Sequence, residues 1–154
     1  MRILITGGVG FIGSNLTEFL LKKGHEIILV DDLSTGKIEN INHLLDRLQF
    51  VEQKVELLDL SSFENVDAVI HLAAQVSVPF SISEFKQSSS TNILASINVL
   101  DFCSKHNIPL IYASSSAVYG EMELGNDNQS NVDLLSPYAV DKYVLELYTK
   151  VSKE

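Results

Sequence analysis

Tyr138 and Lys142 stand four residues apart in a stretch that opens with Ser136-Pro137. Serine as an N-cap and proline in the first turn predict a helix there, running almost to Glu154. At that spacing the phenol and the ammonium share one helix face. An ammonium beside a phenol favours the phenolate. Such a tyrosine can exchange a proton with a substrate hydroxyl while a hydride leaves the same carbon. Ser115, within Ser114-Ser115-Ser116 at the end of an apolar run, is placed to hydrogen-bond that same oxygen. A Tyr-x-x-x-Lys pair alone is equally well explained as an exposed pair on a helix, so its setting has to supply the chemistry.

That setting begins at the N-terminus. Arg2-Ile3-Leu4-Ile5 is a short run of strand formers, followed at once by Thr6-Gly7-Gly8-Val9-Gly10-Phe11-Ile12-Gly13 and then by a helical pattern from Ser14 to Lys23. Strand, glycine turn and helix in succession give meaning to the spacing of Gly7, Gly10 and Gly13. Gly7 takes the turn out of the strand, Gly10 lets backbone approach a pyrophosphate, and Gly13 lets helix and strand pack closely. The helix N-terminus offers unpaired N–H groups to the phosphates. A second strand, Glu26 to Val30, ends in Asp31-Asp32. An acid there is placed to accept the ribose hydroxyls of an adenosine and to repel a 2′-phosphate, which favours NAD over NADP. The alternative is a glycine-rich turn with a solvated Asp pair.

The rest of the chain must carry these residues to one place. Leu16, Phe19 and Leu20 recur at helical spacing, with Gly24 as the C-cap. Ile38 to Leu48 holds a weaker helical pattern, Phe50 to Val55 a third strand, and Leu57 to Asn65 at most one or two helical turns. Asp67 to Ala74 reads as a buried fourth strand ending in small residues against which a flat cofactor can lie. Val76 to Ser90, with Pro79 and many serines, reads as a loop leading into a helix through Asn92, Leu94, Ile97, Leu100 and Phe102. Ile108 to Ala113 is the fifth strand, and the polar stretch from Glu121 to Leu135 a loop able to act as a lid. Strands alternating with helices specify an α/β fold, a doubly wound parallel sheet with order 3-2-1-4-5. Gly7, Asp31, Ala73 and Ser115 all fall at carboxyl ends of expected strands, where such sheets bind ligands.

Composition sets the bounds. The 154 residues suit one domain with a real core, and 45% hydrophobic with 20% charged residues is ordinary for a globular chain. A net charge of −9 without any Lys/Arg run argues against nucleic acid. Cys103 is the single cysteine, so neither a disulfide framework nor a cysteine metal site is expected, and no metal is assigned. With a strand expected from residue 2, no signal peptide is expected, no apolar run approaches a membrane span, and a cytoplasmic setting is expected.

Together these segments resemble the NAD-dependent epimerase/dehydratase group of the extended short-chain dehydrogenases/reductases, whose fold is Rossmann-like. The matching pieces are residues 6–13, Asp31-Asp32-Leu33-Ser34-Thr35-Gly36, His71-Leu72-Ala73-Ala74, Asn92, residues 114–120 and residues 136–142. They appear in the family's order along the whole chain. The resemblance implies that Phe11 and Ile12 present N–H groups to the pyrophosphate and that Asp31 holds the adenosine ribose, with Asp32 beside it. It implies that Leu72, Ala73 and Ala74 line the cofactor near its middle and that Asn92 braces them. Tyr138 is then the base, Lys142 holds the nicotinamide ribose and tunes the tyrosine, and Ser115 is the serine of the triad, counted back from Val118-Tyr119-Gly120.

Two departures stand out. The family's acid–apolar pair after the third strand falls by register on Lys54-Val55, while Asp59-Leu60 copies the dipeptide but sits late. Family members also continue for about as many residues again, so the substrate domain is expected to be absent from this chain. The resemblance implies a nucleotide-sugar 4-epimerase acting on a UDP-hexose or UDP-N-acetylhexosamine, with NAD as cofactor, a 4-keto intermediate and a homodimer. Ser116-Ala117 stands where related dehydratases tend to carry an acidic pair, which argues against dehydration. A reductase or decarboxylase of the same family, or an NAD-binding fragment without turnover, are the other readings.

Overall fold

A computed structural model describes residues 1–122 and 131–152. Most of the loop expected at 121–135 and the last two residues of the chain fall outside the described residues. The chain divides into two compact units, residues 1–74 with 95–113, and residues 75–94 with 114–154.

The first unit is a five-stranded parallel sheet built from β1 (Arg2–Thr6), β2 (Glu26–Asp31), β3 (Gln49–Glu52), β4 (Ala68–His71) and β5 (Leu110–Tyr112), in the order β3-β2-β1-β4-β5. This is the expected doubly wound order. Strand alternation divides the core into two layers. Ile3, Ile5, Ile27, Leu29 and Ile70 point to one face, where they meet Leu21, Ile41 and Leu44. Leu4, Ile28, Val30 and Val69 point to the other and meet Val55, Leu58, Leu60, Val99 and Phe102. Cys103 belongs to this second layer, and burial pushes its thiol up to about 11. It is a core residue, not a nucleophile.

Helix α1 spans Phe11–Lys22, so it begins three residues before the expected Ser14. Gly13 therefore lies inside the helix, where a Cβ would come within 2.6 Å of the Gly8 Cα. The C-cap is Lys23, one residue before the expected Gly24, which follows at φ +83°. Residues 38–48 form 3-10 turns (Ile38–Asn40 and Asn42–Arg47), not a longer helix. Two more 3-10 turns, Val55–Leu57 and Leu60–Ser62, follow β3.

The second unit corrects the reading of residues 76–90 as a loop. It contains α2 (Val78–Ser83), α3 (Phe85–Ser89) and a π turn (Ser90–Leu94), after which α4 (Ala95–His106) returns the chain to the first unit. Ser77 caps α2 by accepting from the Phe80 N–H at 3.3 Å, and Pro79 fits the first turn, where no N–H is required. A 3-10 turn (Ser116–Tyr119) and helix α5 (Pro137–Val151) complete the unit, with α5 packed on α2, α3, the π turn and residues 116–119. Ser136 caps α5 by accepting from the Ala139 N–H at 3.1 Å.

Candidate active site and dinucleotide site

In the first unit the glycine turn leaves β1 with Gly7 at φ +70°, and the Gly7 N–H donates to the Val30 carbonyl at 2.8 Å. A Cβ at Gly7 would lie 2.5 Å from the Ala73 nitrogen and 2.7 Å from the Leu72 carbonyl carbon. The bare turn is thus what lets the end of β4 approach it. Gly10 differs, because a Cβ there would meet only the Gly7 carbonyl oxygen, at 3.4 Å. The space beside Gly10 at the Cβ position is otherwise open.

Gly10 is also the N-cap of α1 and supplies no side-chain hydrogen bond, and no acid sits in the first turn. The N–H groups of Phe11 and Ile12 stand at this uncapped end, with their side chains 85% and 63% exposed. Such a terminus attracts an anion.

Asp31 is buried at the end of β2 and grips the turn directly. Its Oδ2 accepts from the Val9 N–H at 3.0 Å and its Oδ1 from the Leu33 N–H at 3.0 Å. The other side of Val9 is held by Asn40, whose Nδ2 donates to the Val9 carbonyl at 2.8 Å. Asn40 was not singled out in the sequence, since an asparagine in a turn carries no signal of a distant partner. Asp32 folds back locally, its Oδ1 accepting from both the N–H and the hydroxyl of Ser34 at 3.0 and 2.6 Å.

Leu72, Ala73 and Ala74 follow β4 and are only partly buried. A buried network fixes where they leave the sheet. Thr6 Oγ1 is 2.7 Å from His71 Nδ1 and accepts from the Ala73 N–H at 3.3 Å, while His71 Nε2 lies 3.2 Å from Ser96 Oγ.

Of the two adenine candidates, Lys54 directly follows Gln53, whose N–H donates to the Asp31 carbonyl at 3.1 Å. The Asp59 Oδ1 caps its own turn through the Ser61 N–H and hydroxyl, at 3.0 and 2.6 Å. Val55 and Leu60 are both core residues. Uncapped amides, open space over Gly10 and a buried acid at the ribose position together fit a dinucleotide.

The second unit carries Asn92, Ser115, Tyr138 and Lys142. Tyr138 and Lys142 are 8% and 6% exposed on α5, which removes the reading of an exposed helix pair. The Tyr138 N–H donates to Ser81 Oγ at 3.2 Å, and that hydroxyl donates to the Val78 carbonyl at 2.7 Å. A fully buried serine from α2 thereby gives α5 a second cap, beside Ser136.

Ser114 donates its hydroxyl to Glu146, one turn beyond Lys142 on the same stripe of α5. This bond ties Ser114, the neighbour of Ser115, to α5 one turn beyond Lys142. Ser115 caps the 116–119 turn by accepting from the Ala117 N–H at 3.1 Å, which leaves its own O–H able to donate. Gly120 closes the segment at φ +54°, and Asp133 receives the Glu121 N–H at 3.1 Å.

Two neighbouring charged residues of this unit, Asp141 and Lys142, are buried. Burial pushes the Lys142 ammonium below its ordinary range, and the Asp141 carboxylate partly offsets this. Burial pushes the Asp141 carboxyl up, opposed by hydrogen bonds from Ser89 and Asn92 and by the Lys142 charge. Asp141 was not among the residues read from the sequence. Among the described residues no cluster of His, Cys, Asp or Glu could hold a metal, and no helix is long and apolar enough to cross a membrane.

A parallel sheet with this glycine turn, joined in one chain to a buried Tyr-x-x-x-Lys helix, defines a dinucleotide-dependent enzyme class. Residues 3–154 match the family model described as NAD dependent epimerase/dehydratase family, and the chain belongs to that family. It is 38% identical to the uncharacterized UDP-glucose epimerase YtcB of Bacillus subtilis, over 100% of this chain and 52% of that protein. It is 35% identical to UDP-glucuronic acid decarboxylase 1 of Danio rerio, over 83% of this chain and 30% of that protein. The UDP-N-acetylglucosamine 4-epimerase of Methanobrevibacter ruminantium M1, solved with UDP-N-acetylmuramic acid, superposes with a TM-score of 0.91 at 38% identity, over 97% of this chain and 49% of that one. The chain therefore spans about half the length of the epimerases it matches.

Proposed function

We propose that this chain supplies the NAD-binding and proton-transfer part of a UDP-sugar 4-epimerase. The observation that carries the reading is the burial of Tyr138 and Lys142 on α5, the helix to which Ser114 is tied through Glu146. The glycine turn with Asp31 supports the choice of cofactor, and the epimerases among its relatives support the reaction.

NAD, when bound, supplies the acceptor and later the donor of the hydride at sugar C4. The Tyr138 phenol oxygen takes the proton of the sugar 4-hydroxyl and returns it once the 4-keto sugar has presented its other face. The Ser115 hydroxyl donates to the same oxygen. The Lys142 ammonium, held away from water, favours the phenolate and donates to the nicotinamide ribose. Phe11 and Ile12 hold the pyrophosphate through their N–H groups, and Asp31 accepts from the adenosine ribose.

The test is conversion of UDP-glucose to UDP-galactose, and of the N-acetylated pair, by the purified protein. Turnover of neither pair, with NAD bound, would leave the second reading, an NAD-binding part that needs further chain for catalysis. Coverage of half the epimerases' length favours that reading for the 154 residues themselves. The same coverage underlies the expectation that substrate selection resides in another domain. Decarboxylation of UDP-glucuronate is the other outcome to assay, given the similarity to that enzyme. The reading includes self-association, supported by the apolar side chains that α5 leaves exposed at Val140, Leu147, Tyr148 and Val151.

A further inference from the structure

Asp141 lies between the two proposed catalytic residues of α5 in sequence, yet it points elsewhere. The residue is 3% exposed. One oxygen, Oδ1, accepts from the Ser89 hydroxyl at 2.8 Å, and the other, Oδ2, accepts from Asn92 Nδ2 at 3.1 Å. Ser89 is the last residue of α3 and Asn92 lies within the π turn, so the carboxylate spans the junction between them. A π turn is a rare and poorly bonded form of helix, and side-chain hydrogen bonds from a neighbouring element help hold it.

Asn92 passes the constraint on. Its Oδ1 accepts from the Gln75 N–H at 2.8 Å and its Nδ2 donates to the Gln75 carbonyl at 3.1 Å. The amide clamps both backbone groups of the residue that follows Leu72-Ala73-Ala74. Only one orientation of an amide allows this, because Gln75 requires one acceptor and one donor. Asp141 selects that orientation: with the amide reversed, the Asn92 carbonyl oxygen would face the carboxylate, acceptor against acceptor. Gln75 extends the network, since its Oε1 accepts from the Ser77 N–H at 3.0 Å at the start of α2.

We propose that Asp141 is a positioning residue of the active site, whose carboxylate joins the Tyr138–Lys142 helix to the π turn through Ser89 and fixes the backbone at Gln75 through Asn92. The cofactor side of this inference rests on the function proposed above. One carboxylate thus links α5, Asn92 and, through Asn92, the Gln75 backbone. An acid suits the position because both of its oxygens must accept, and an ionised acceptor makes the stronger bond. Asparagine can keep the geometry without the charge. Its Oδ1 accepts from Asn92, and the Ser89 hydroxyl rotates to accept from its Nδ2.

The test compares Asp141→Asn with Asp141→Ala in the 154-residue chain. Amide hydrogen exchange at Gln75 is followed by NMR and NAD affinity by titration calorimetry. Asp141→Ala should raise Gln75 exchange at least tenfold and weaken NAD at least tenfold, while the amides of Leu4 and Leu29 in the sheet keep their protection. Asp141→Asn should stay within about threefold of the parent chain in both measurements. Wild-type Gln75 protection and NAD affinity in Asp141→Ala would overturn the proposal, as would equal losses in the two variants with the sheet amides intact. Should Asp141→Ala not fold, Asp141→Ser takes its place with the same outcomes, because serine cannot reach both donors. Absence of NAD binding by the parent chain would overturn the function proposed above and with it the cofactor role given to Asp141; the exchange at Gln75 reports separately on the positioning network.

Discussion

The Val9 N–H donates to Asp31 Oδ2 at 3.0 Å, so the glycine turn after β1 and the acid at the end of β2 form one hydrogen-bonded unit. The same carboxylate that is placed to accept from a ribose also sets the shape of the loop that is placed to hold a pyrophosphate. The two parts of the proposed dinucleotide site are therefore joined by a hydrogen bond within the chain itself.

The first prediction concerns the cofactor. A buried carboxylate at the ribose position repels a 2′-phosphate, so NAD should bind at least tenfold more tightly than NADP, about 1.4 kcal/mol. Titration calorimetry with both cofactors measures this, and equal affinities would remove Asp31 from the site. Asp31→Ala should do more than relax the preference. It leaves the Val9 and Leu33 N–H groups without their acceptor, which costs about 1–3 kcal/mol of stability where such groups are buried.

The glycines should separate into two classes. A Cβ on residue 13 would sit 2.6 Å from the Gly8 Cα, so Gly13→Ala forces backbone to move and should lower stability by about 1–3 kcal/mol. A Cβ on residue 10 meets nothing closer than 3.4 Å, so Gly10→Ala should melt within a few degrees of the parent chain. It should nonetheless weaken NAD at least tenfold, because the methyl group occupies the path of the pyrophosphate. Melting curves with and without NAD test both, and unchanged NAD affinity in a folded Gly10→Ala would place the phosphates elsewhere.

Tyr138→Phe removes only the oxygen assigned to proton exchange. In the catalytically competent protein, epimerisation should fall by roughly 10²- to 10⁴-fold, the usual worth of a general acid–base group. NAD affinity should stay within about threefold, and the helix should remain docked, since its link to Ser81 is made by the Tyr138 backbone. Normal turnover by this variant would exclude the mechanism.

Asp141 and Lys142 make opposite contributions to the dependence of stability on pH. The Asp141 carboxyl is raised from an ordinary value of 3.8. Its contribution is complete below that value and is lost as pH rises through the raised one. Lys142 is lowered from 10.5, so its contribution is complete above that value and is lost as pH falls through the lowered one. Asp141→Asn removes the acid-side contribution. The stability of this variant minus that of the parent should therefore increase as pH rises upward from about 3.8, then level off. Denaturant titrations across that range would show it, and a flat difference would mean that burial does not raise this carboxyl.

Much of the architecture was legible because it is local. Unbroken apolar runs in Ile3-Leu4-Ile5 and Ile27-Ile28-Leu29-Val30 specify strands buried on both faces, and glycines at 7 and 13 admit a turn and a close packing that a side chain would block. The order β3-β2-β1-β4-β5 is that of a doubly wound sheet whose first strand leads into the glycine turn. The serine-rich stretch after Val76 was misread for a physical reason. Ser77, Ser81 and Ser89 lower helix propensity when their hydroxyls bond to local backbone, and the sequence shows only that tendency. In the folded chain their partners are Phe80, Tyr138 and Asp141, two of them more than fifty residues away.

The sequence by itself determined which residues could take part: the spacing of Tyr138 and Lys142 on one helix face, the glycine turn, and the acid after the second strand. Each of these rests on backbone geometry over a few residues, where spacing and chemistry are fixed by covalent structure. The tertiary structure alone decided that Tyr138 and Lys142 are buried, that Asp31 grips Val9 while Asn40 holds its carbonyl, and that Asp141 orients the Asn92 amide. Hydrogen bonds between groups so far apart in the chain leave no periodic trace. Burial, which makes each of them matter, belongs to the packed chain and not to any segment of it.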